Sequence, residues 1–250
     1  MIEVTSGQLQ AWAGALLFPF IRIMATIFSA PVLGHASIPV RMRVALALIL
    51  AFVAASFAPA PVPLDSPHAL AYALREMLIG VSLGLLLQLV FAAAQLAGDA
   101  IGLQMGLGFA FFVDPQNATQ SPLVGSLLAT VTGLLFLALD IHLLLIGGLM
   151  ESFRALPVDA PLDTGLGLKA VAAAGAEMFR LALSIALPAL AALLLANLAL
   201  GVLSRAAPQL NLFAVGFPAT LILGALALGP MLPGAVEAIS RALSAWPSLR

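Results

Sequence analysis

The sequence predicts an all-α, polytopic membrane protein built from about six kinked apolar helices. Hydrophobic residues make up 62% of the 250-residue chain and charged residues only 8%, whereas charged residues form about 25% of a typical soluble domain. The 10 basic and 11 acidic side chains are too few to cover a soluble fold of this size. The composition excludes a soluble enzyme, a nucleic-acid-binding protein and a disordered linker, and predicts contact with lipid or with other apolar subunits.

Long uncharged runs place the helices, because a helix needs about 20 mostly apolar residues to cross a bilayer. From these runs we predict helices at 9–33, 44–58, 70–98, 122–150, 170–204 and 210–235. Beyond the second and fourth helices lie residues that end helices, namely Pro59, Pro61, Pro63, Pro157 and Pro161. Because the connections are too short for a soluble domain, we predict a single domain over residues 1–250.

Two further patterns concern helix shape and packing. Pro19, Pro188 and Pro218 lie inside apolar runs, where neighbouring groups can satisfy the freed carbonyls, so they predict kinks. The glycine pairs 80/84 and 98/102 have the small-xxx-small spacing that lets helix backbones approach closely. We therefore expect close helix contacts at these pairs.

Common catalytic and metal-binding patterns are not found in the sequence. Cysteine is absent, and His35, His68 and His142 are far apart without paired carboxylates. No glycine-flanked serine nucleophile or phosphate-binding lysine motif occurs. The net charge of −1 gives no attraction to nucleic acid. We expect no enzymatic activity, no metal and no cofactor.

Ionisable residues in apolar surroundings are the first candidates for function, since a charge at the centre of a bilayer costs at least ~2.5–3.5 kcal/mol. They are Arg22, Asp99, Asp114, Asp140 and His142. A proton path through Asp140 and His142 is one interpretation. Residues two apart on a helix point in different directions, however, so we favour a packing or subunit-contact role for the pair.

The most unusual segment is 102–122, where a glycine- and phenylalanine-rich run ends abruptly at an Asp-Pro step. Its apolar part is too short for a simple bilayer span. One interpretation is a short buried helix followed by a turn. The other is a segment that lines a cavity, as do the hydrophobic constrictions that gate some pores.

Four sequence blocks resemble the FliR family of flagellar biosynthetic proteins, which belongs with its injectisome counterparts to the export gate of type III secretion. The blocks are 76–80 (EMLIG), 104–115 (QMGLGF with VDP), 135–157 (LFLALDIH to ESFRALP) and 201–218 (GVLSRAAPQLNLF with VGFP). They follow one another in order along nearly the whole chain. The departure is Ile141, since family members often have glycine before the histidine.

The resemblance implies a pore-forming structural subunit, packed in a helical export-gate complex that passes unfolded flagellar proteins. It implies FliP and FliQ as partners in a hetero-oligomeric core, with FlhB on the outside and FlhA also associated. The location it implies is the bacterial inner membrane at the flagellar basal body. Sister subunits as well as lipid would then cover the apolar surface, and the predicted helices need not all cross the bilayer.

The resemblance also places the pore plug of the family between Gly106 and about Pro122. The residues expected to close the resting channel are Gly106, Gly108, Phe109, Phe111, Phe112, Val113, Asp114 and Pro115. Glycines permit sharp turns, phenylalanines fill a narrow lumen, and the residue before a proline is biased away from helix. The residues themselves predict a second feature, a tight turn between the last two long helices, in which Arg205 bonds to carbonyls or a carboxylate and Gln209 and Asn211 supply polar hydrogen-bonding groups.

Two alternatives remain at this point. An injectisome export-gate subunit would share the same blocks. A small-solute or proton-coupled transporter would instead use Arg22, Asp99 and Asp140 as its substrate or ion path, although transporters tend to show internal repeats and this sequence shows no convincing one.

Overall fold

The computed structural model describes residues 5–56, 67–109, 123–158, 164–207 and 212–245. These residues form α-helices and one short 3₁₀ turn and no strand, which confirms the all-α prediction. The helices are α1 (Ser6–Ser29), α2 (Val40–Ala55), α3 (Ala69–Gln104), α4 (Leu123–Ala138), α5 (Ile141–Ala155), α6 (Thr164–Ala206) and α7 (Leu212–Ala245). The 3₁₀ turn is Leu107–Phe109.

The predicted helix at 122–150 is two helices, so the described residues contain seven where the sequence suggested about six. The break lies at Asp140, whose φ of 52° and ψ of 29° are left-handed. Aspartate adopts this conformation more easily than most residues, because its short polar side chain can hydrogen bond locally. No proline or glycine marks the position, and the apolar pattern continues on both sides of it.

The internal prolines lie inside helices, as the sequence predicted. Pro19 is within α1, Pro188 within α6, and Pro218 within α7. Helix α7 also continues through Pro230 and Pro233 and ends ten residues beyond its predicted end at 235. Membrane helices tolerate proline in this way when neighbouring groups satisfy the freed carbonyls.

Four helices, α1, α3, α6 and α7, are long and apolar enough to cross a membrane, and α4 with α5 would make a fifth span if the pair is counted as one. Helix α3 has 36 residues and α6 has 43. At 1.5 Å per residue these helices are about 54 and 65 Å long, whereas the hydrocarbon core is about 30 Å thick. Their uncharged stretches, 77–98 and 181–204, are about 33 and 36 Å long. The uncharged stretches are therefore close in length to the thickness of the hydrocarbon core, whereas the complete helices are longer than it.

The chain forms two compact units. The first draws on Met1–Leu89 and Asp140–Ala174, and the second comprises Val90–Leu139 and Gly175–Ala245. In the first unit, an alanine face of α2 packs with α1 and α5. The buried side chains of this core are Ile23, Ile27, Ala47, Ala51, Ala54, Leu149 and Phe153. The alanines recur at helical spacing, which lets the α2 backbone lie close to its neighbours.

The glycine pairs make the close helix contacts expected of them at three of four positions. In the first unit, a Cβ atom on Gly80 would lie 2.8 Å from the Ala25 Cβ atom, and one on Gly84 would lie 2.8 Å from the Thr26 carbonyl oxygen. In the second unit, a Cβ atom on Gly98 would lie 2.6 Å from the Gly125 Cα atom. Gly102 has only ordinary van der Waals neighbours.

Candidate functional site

A cluster of charges is buried in the first unit, and its members are Arg22 on α1 with Arg75 and Glu76 on α3. We call these three residues the buried charge cluster. Arg22 and Glu76 are fully buried, and Arg75 is 3% exposed. The Arg22 guanidinium donates to both carboxylate oxygens of Glu76, from Nε at 2.6 Å and from Nη2 at 2.8 Å. This bidentate geometry is the strongest form of an arginine–carboxylate pair.

Other donors of the cluster bind carbonyl oxygens at and just beyond the end of α5. Arg22 Nη1 donates to the Ser152 carbonyl oxygen at 2.9 Å, and Nη2 donates to the Leu156 carbonyl oxygen at 2.8 Å. Arg75 Nη1 donates to the carbonyl oxygens of Pro157 at 2.6 Å and Val158 at 3.1 Å. Both guanidiniums thus donate to carbonyl oxygens at or just beyond the carboxyl end of α5, where the partial negative charge of the helix favours a cation.

The cluster joins three helices. The Arg22 guanidinium also lies over the Phe153 ring, 4.2 Å from the ring centroid. The ring thus covers one flat face of the guanidinium, while the hydrogen-bond acceptors lie around the guanidinium's edge. Arginine stays protonated in proteins, and both oxygens of Glu76 are engaged. Arg22 is therefore occupied by structural contacts and is not available as the substrate-facing charge that the transporter alternative requires.

Sequence reasoning selected Arg22 but missed its partners. Arg75 and Glu76 adjoin an uncharged run and resemble the charged edge of a helix. The pairing joins residues 54 positions apart, and the carbonyl acceptors lie 130 or more positions from Arg22. A signal was available: a buried arginine needs a carboxylate, and Glu76 begins one of the four blocks of family resemblance.

Asp140 and His142 lie at the start of α5. Asp140 is exposed and is the residue before the first turn, and His142 is partly buried. The Asp140 carboxylate makes no capping hydrogen bond, but a negative charge at a helix amino terminus is favourable. The structure thus gives Asp140 a role in the helix break, and the proposed packing or subunit contact of the pair stays a prediction.

The expected plug begins at the end of α3, and the structure describes its first residues. Met105 is 5% exposed, and Gly106 has a φ of 84°, so the sharp turn expected at Gly106 is present. The 3₁₀ turn Leu107–Phe109 comes next in the chain. The remaining expected plug residues, Phe111, Phe112, Val113, Asp114 and Pro115, lie outside the described residues.

Asp99 lies on α3 beside the start of α4. Its Oδ1 atom is buried against Gly125, and within the described part of the chain it has no hydrogen-bond partner. Val124, the second residue of α4, is 3% exposed, and its side chain would lie 3.9 Å from a Cβ atom added to Gly102. The end of α3 and the start of α4 therefore approach most closely at Gly98 and Gly125.

Arg205 lies in the last turn of α6 and is exposed. Its guanidinium forms no hydrogen bond or ion pair with the described residues, and Gln209 and Asn211 lie outside them. The predicted turn falls between the end of α6 at Ala206 and the start of α7 at Leu212. Nothing in the described residues groups three or more His, Asp or Glu side chains as a metal site.

Large apolar side chains are exposed along several helices. Met42, Ile49 and Phe52 of α2 are 63%, 63% and 74% exposed. Leu195 and Val202 of α6 are also more than half exposed. Exposed apolar surface of this extent requires lipid or another protein.

Comparisons with known proteins agree with the sequence resemblance. The family described as bacterial export proteins, family 1, matches residues 13–246. Flagellar biosynthetic protein FliR of Escherichia coli (strain K12) is 41% identical over 235 residues, which cover 93% of this chain and 90% of the relative. The proteins of the same name from Bacillus subtilis (strain 168) and Aquifex aeolicus (strain VF5) are 36% and 37% identical, over 82% and 93% of this chain and 80% and 90% of the relatives.

Proposed function

Since the chain belongs to the bacterial export proteins, family 1, we propose that it helps to form and to seal the channel through which unfolded flagellar proteins are exported. The chain is a membrane-embedded subunit of the flagellar type III export apparatus. The match covers 93% of this chain and 90% of the Escherichia coli relative. This match over nearly full length is the observation that carries the proposal.

The sealing role falls to the segment from Gly106 to about Pro122. An export channel has to pass an extended chain and still hold ion gradients when it is idle. Phenylalanine side chains fill a narrow lumen and exclude water, and the segment holds Phe109, Phe111 and Phe112. The left-handed turn at Gly106 supports this role, because it redirects the chain immediately before these residues.

We propose that FliP and FliQ subunits surround the chain in the bacterial inner membrane, with FlhB and FlhA associated with the assembly. The exposed apolar side chains of α2 and α6 support this assignment, because sister subunits and lipid would bury them. Helices of about 54 and 65 Å also suit an assembly that extends past the bilayer. The role of this chain is structural, and other subunits supply the energy for export.

Deletion of residues 110–118 tests the seal. The variant chain should copurify with its FliP- and FliQ-like partners in normal yield, and cells that hold the idle complex should admit small ions or solutes. Replacing the same residues with a glycine–serine segment of equal length controls for the shortened connection and should leak as well. If the deletion complex assembles and stays tight, the sealing role is wrong. If it does not assemble, the segment is a lateral contact.

A further inference from the structure

We infer that Met105 on the α3 side and Thr220 and Gly224 on α7 form an anchor that fixes where the sealing segment leaves the helix bundle. We call these three residues the Met105 anchor. All three lie in the second compact unit. The inference rests on the proposed sealing function and adds positioning residues on a helix that lies about a hundred residues beyond the segment in the chain.

The first part of the anchor is a notch in α7 that accepts the Met105 side chain. A Cβ atom on Gly224 would lie 2.7 Å from both the Sδ and the Cε atoms of Met105, closer than real Cβ atoms approach other atoms. Glycine is thus the residue that leaves room for the thioether against the α7 backbone. Met105 is 5% exposed, so nearly the whole residue is buried where its side chain meets α7.

The second part is Thr220, which lies one turn before Gly224 and so on the same face of α7. Its hydroxyl lies within hydrogen-bond distance of two carbonyl oxygens, that of Phe217 at 3.0 Å and that of Met105 at 3.3 Å. The hydroxyl has one proton to donate and the Met105 distance is the longer, so the Gly224 notch contributes more to the anchor than Thr220 does.

The anchor acts on the direction of the chain because it lies directly before the turn at Gly106. The Met105 carbonyl belongs to the planar peptide that joins Met105 to Gly106. Holding this carbonyl and the Met105 side chain fixes the orientation of that peptide. The left-handed turn at Gly106, with its φ of 84°, then sets the course of the chain from a fixed starting point. A displacement of α7 at Gly224 would move that starting point.

The structure shows a contrast that supports a specific notch. Gly229, five residues further along α7, has no neighbouring atom within 4 Å of an added Cβ atom. Within the described chain there is thus room for a side chain at position 229, whereas a side chain at position 224 would collide with Met105. The two positions provide a matched pair for substitution on one helix.

The test measures the solute leak of the idle complex in cells that produce the full-length chain with its partner subunits. Gly224→Leu should displace Met105 and give a leak comparable with that of the 110–118 deletion, while the complex still copurifies. Met105→Ala should leak too, because it removes the side chain from the notch. Thr220→Val should leak less than either. Gly229→Leu is the control and should leak no more solute than the wild type.

The double variant Met105→Ala/Gly224→Leu separates anchoring from general damage. The leucine side chain fills the space that methionine leaves, so the double variant should be tighter than Gly224→Leu alone. Should Gly224→Leu fail to assemble, Met105→Ala carries the test, since it adds no atoms. The anchor is refuted if Met105→Ala is as tight as the wild type while the 110–118 deletion leaks. A tight deletion complex refutes the sealing function itself.

Discussion

Replacing Glu76 by glutamine removes the negative charge of the buried charge cluster while keeping the shape of the side chain. The Glu76 carboxylate accepts from Arg22 Nε, Arg22 Nη2 and Arg75 Nη1, at 2.6, 2.8 and 3.4 Å. In Glu76→Gln, one of the two acceptor oxygens becomes an amide that donates, so one guanidinium N–H group faces another donor. The buried Arg22 guanidinium then loses its carboxylate counter-charge.

The expected cost in the free energy of unfolding depends on the burial of the pair. Removing one partner of a buried ion pair costs about 3–5 kcal/mol, because the other charge stays buried without compensation. This corresponds to a loss of roughly 100- to 4,000-fold in the ratio of folded to unfolded chain. Glu76→Gln should fall at the lower end of this range and Glu76→Ala at the upper end, since alanine also leaves a cavity.

Denaturant titration of the full-length chain in mixed micelles measures this free energy. The control is Glu237→Gln, which breaks the exposed pair with Arg241, whose atoms are 3.3 Å apart, and should cost no more than about 1 kcal/mol. The double variant Arg22→Met/Glu76→Gln should be less destabilised than the sum of its single variants, by about 0.5–3 kcal/mol. Equal costs for Glu76→Gln and Glu237→Gln, or additive single variants, would refute the argument.

Two further substitutions test the polar residues selected from the sequence. Asp140→Asn should retain most export, measured as secretion of flagellar proteins, because asparagine also adopts the left-handed conformation. Asp140→Ile should reduce export, because β-branched residues disfavour the left-handed conformation. Complete loss of export in Asp140→Asn with normal assembly would favour a proton path instead. Arg205→Ala tests the turn predicted between α6 and α7. If that turn depends on hydrogen bonds from Arg205, the variant should lower the yield of the copurified complex and lower export; unchanged yield and export would reject the structural role.

The class of fold could be predicted because composition alone determines it. A chain with 62% hydrophobic residues and 8% charged residues has few structures open to it besides apolar helices. The location of Pro19 and Pro188 inside helices could also be predicted, since both prolines lie within long apolar runs. The break at Asp140 could not, because a single left-handed residue leaves the apolar pattern unchanged on both sides.

The contacts of the site join residues that are far apart in the chain, and local sequence patterns give no information about such pairs. A turn at Gly106 could be predicted, because a sharp turn requires a backbone conformation that a single glycine can adopt by itself. The partners of Arg22 and Met105 could not, since Glu76 is 54 positions from Arg22 and Thr220 is 115 positions from Met105. A buried arginine indicates that a carboxylate is needed, but the fold decides which one supplies it.

The order in which the buried charge cluster is completed has a consequence for biogenesis. Arg22 is synthesised first, and its acceptor carbonyl at Ser152 is made 130 residues later, which at 5–20 residues per second takes roughly 7–26 s. The counter-charge comes earlier, because Glu76 follows Arg22 by 54 residues. The cation on nascent α1 is thus without a carboxylate partner for roughly 3–11 s and without its α5 carbonyl acceptors for longer. The helix is thus a poor candidate for early, independent release into lipid. Its full set of buried contacts becomes available only after α3 and α5 have been synthesised.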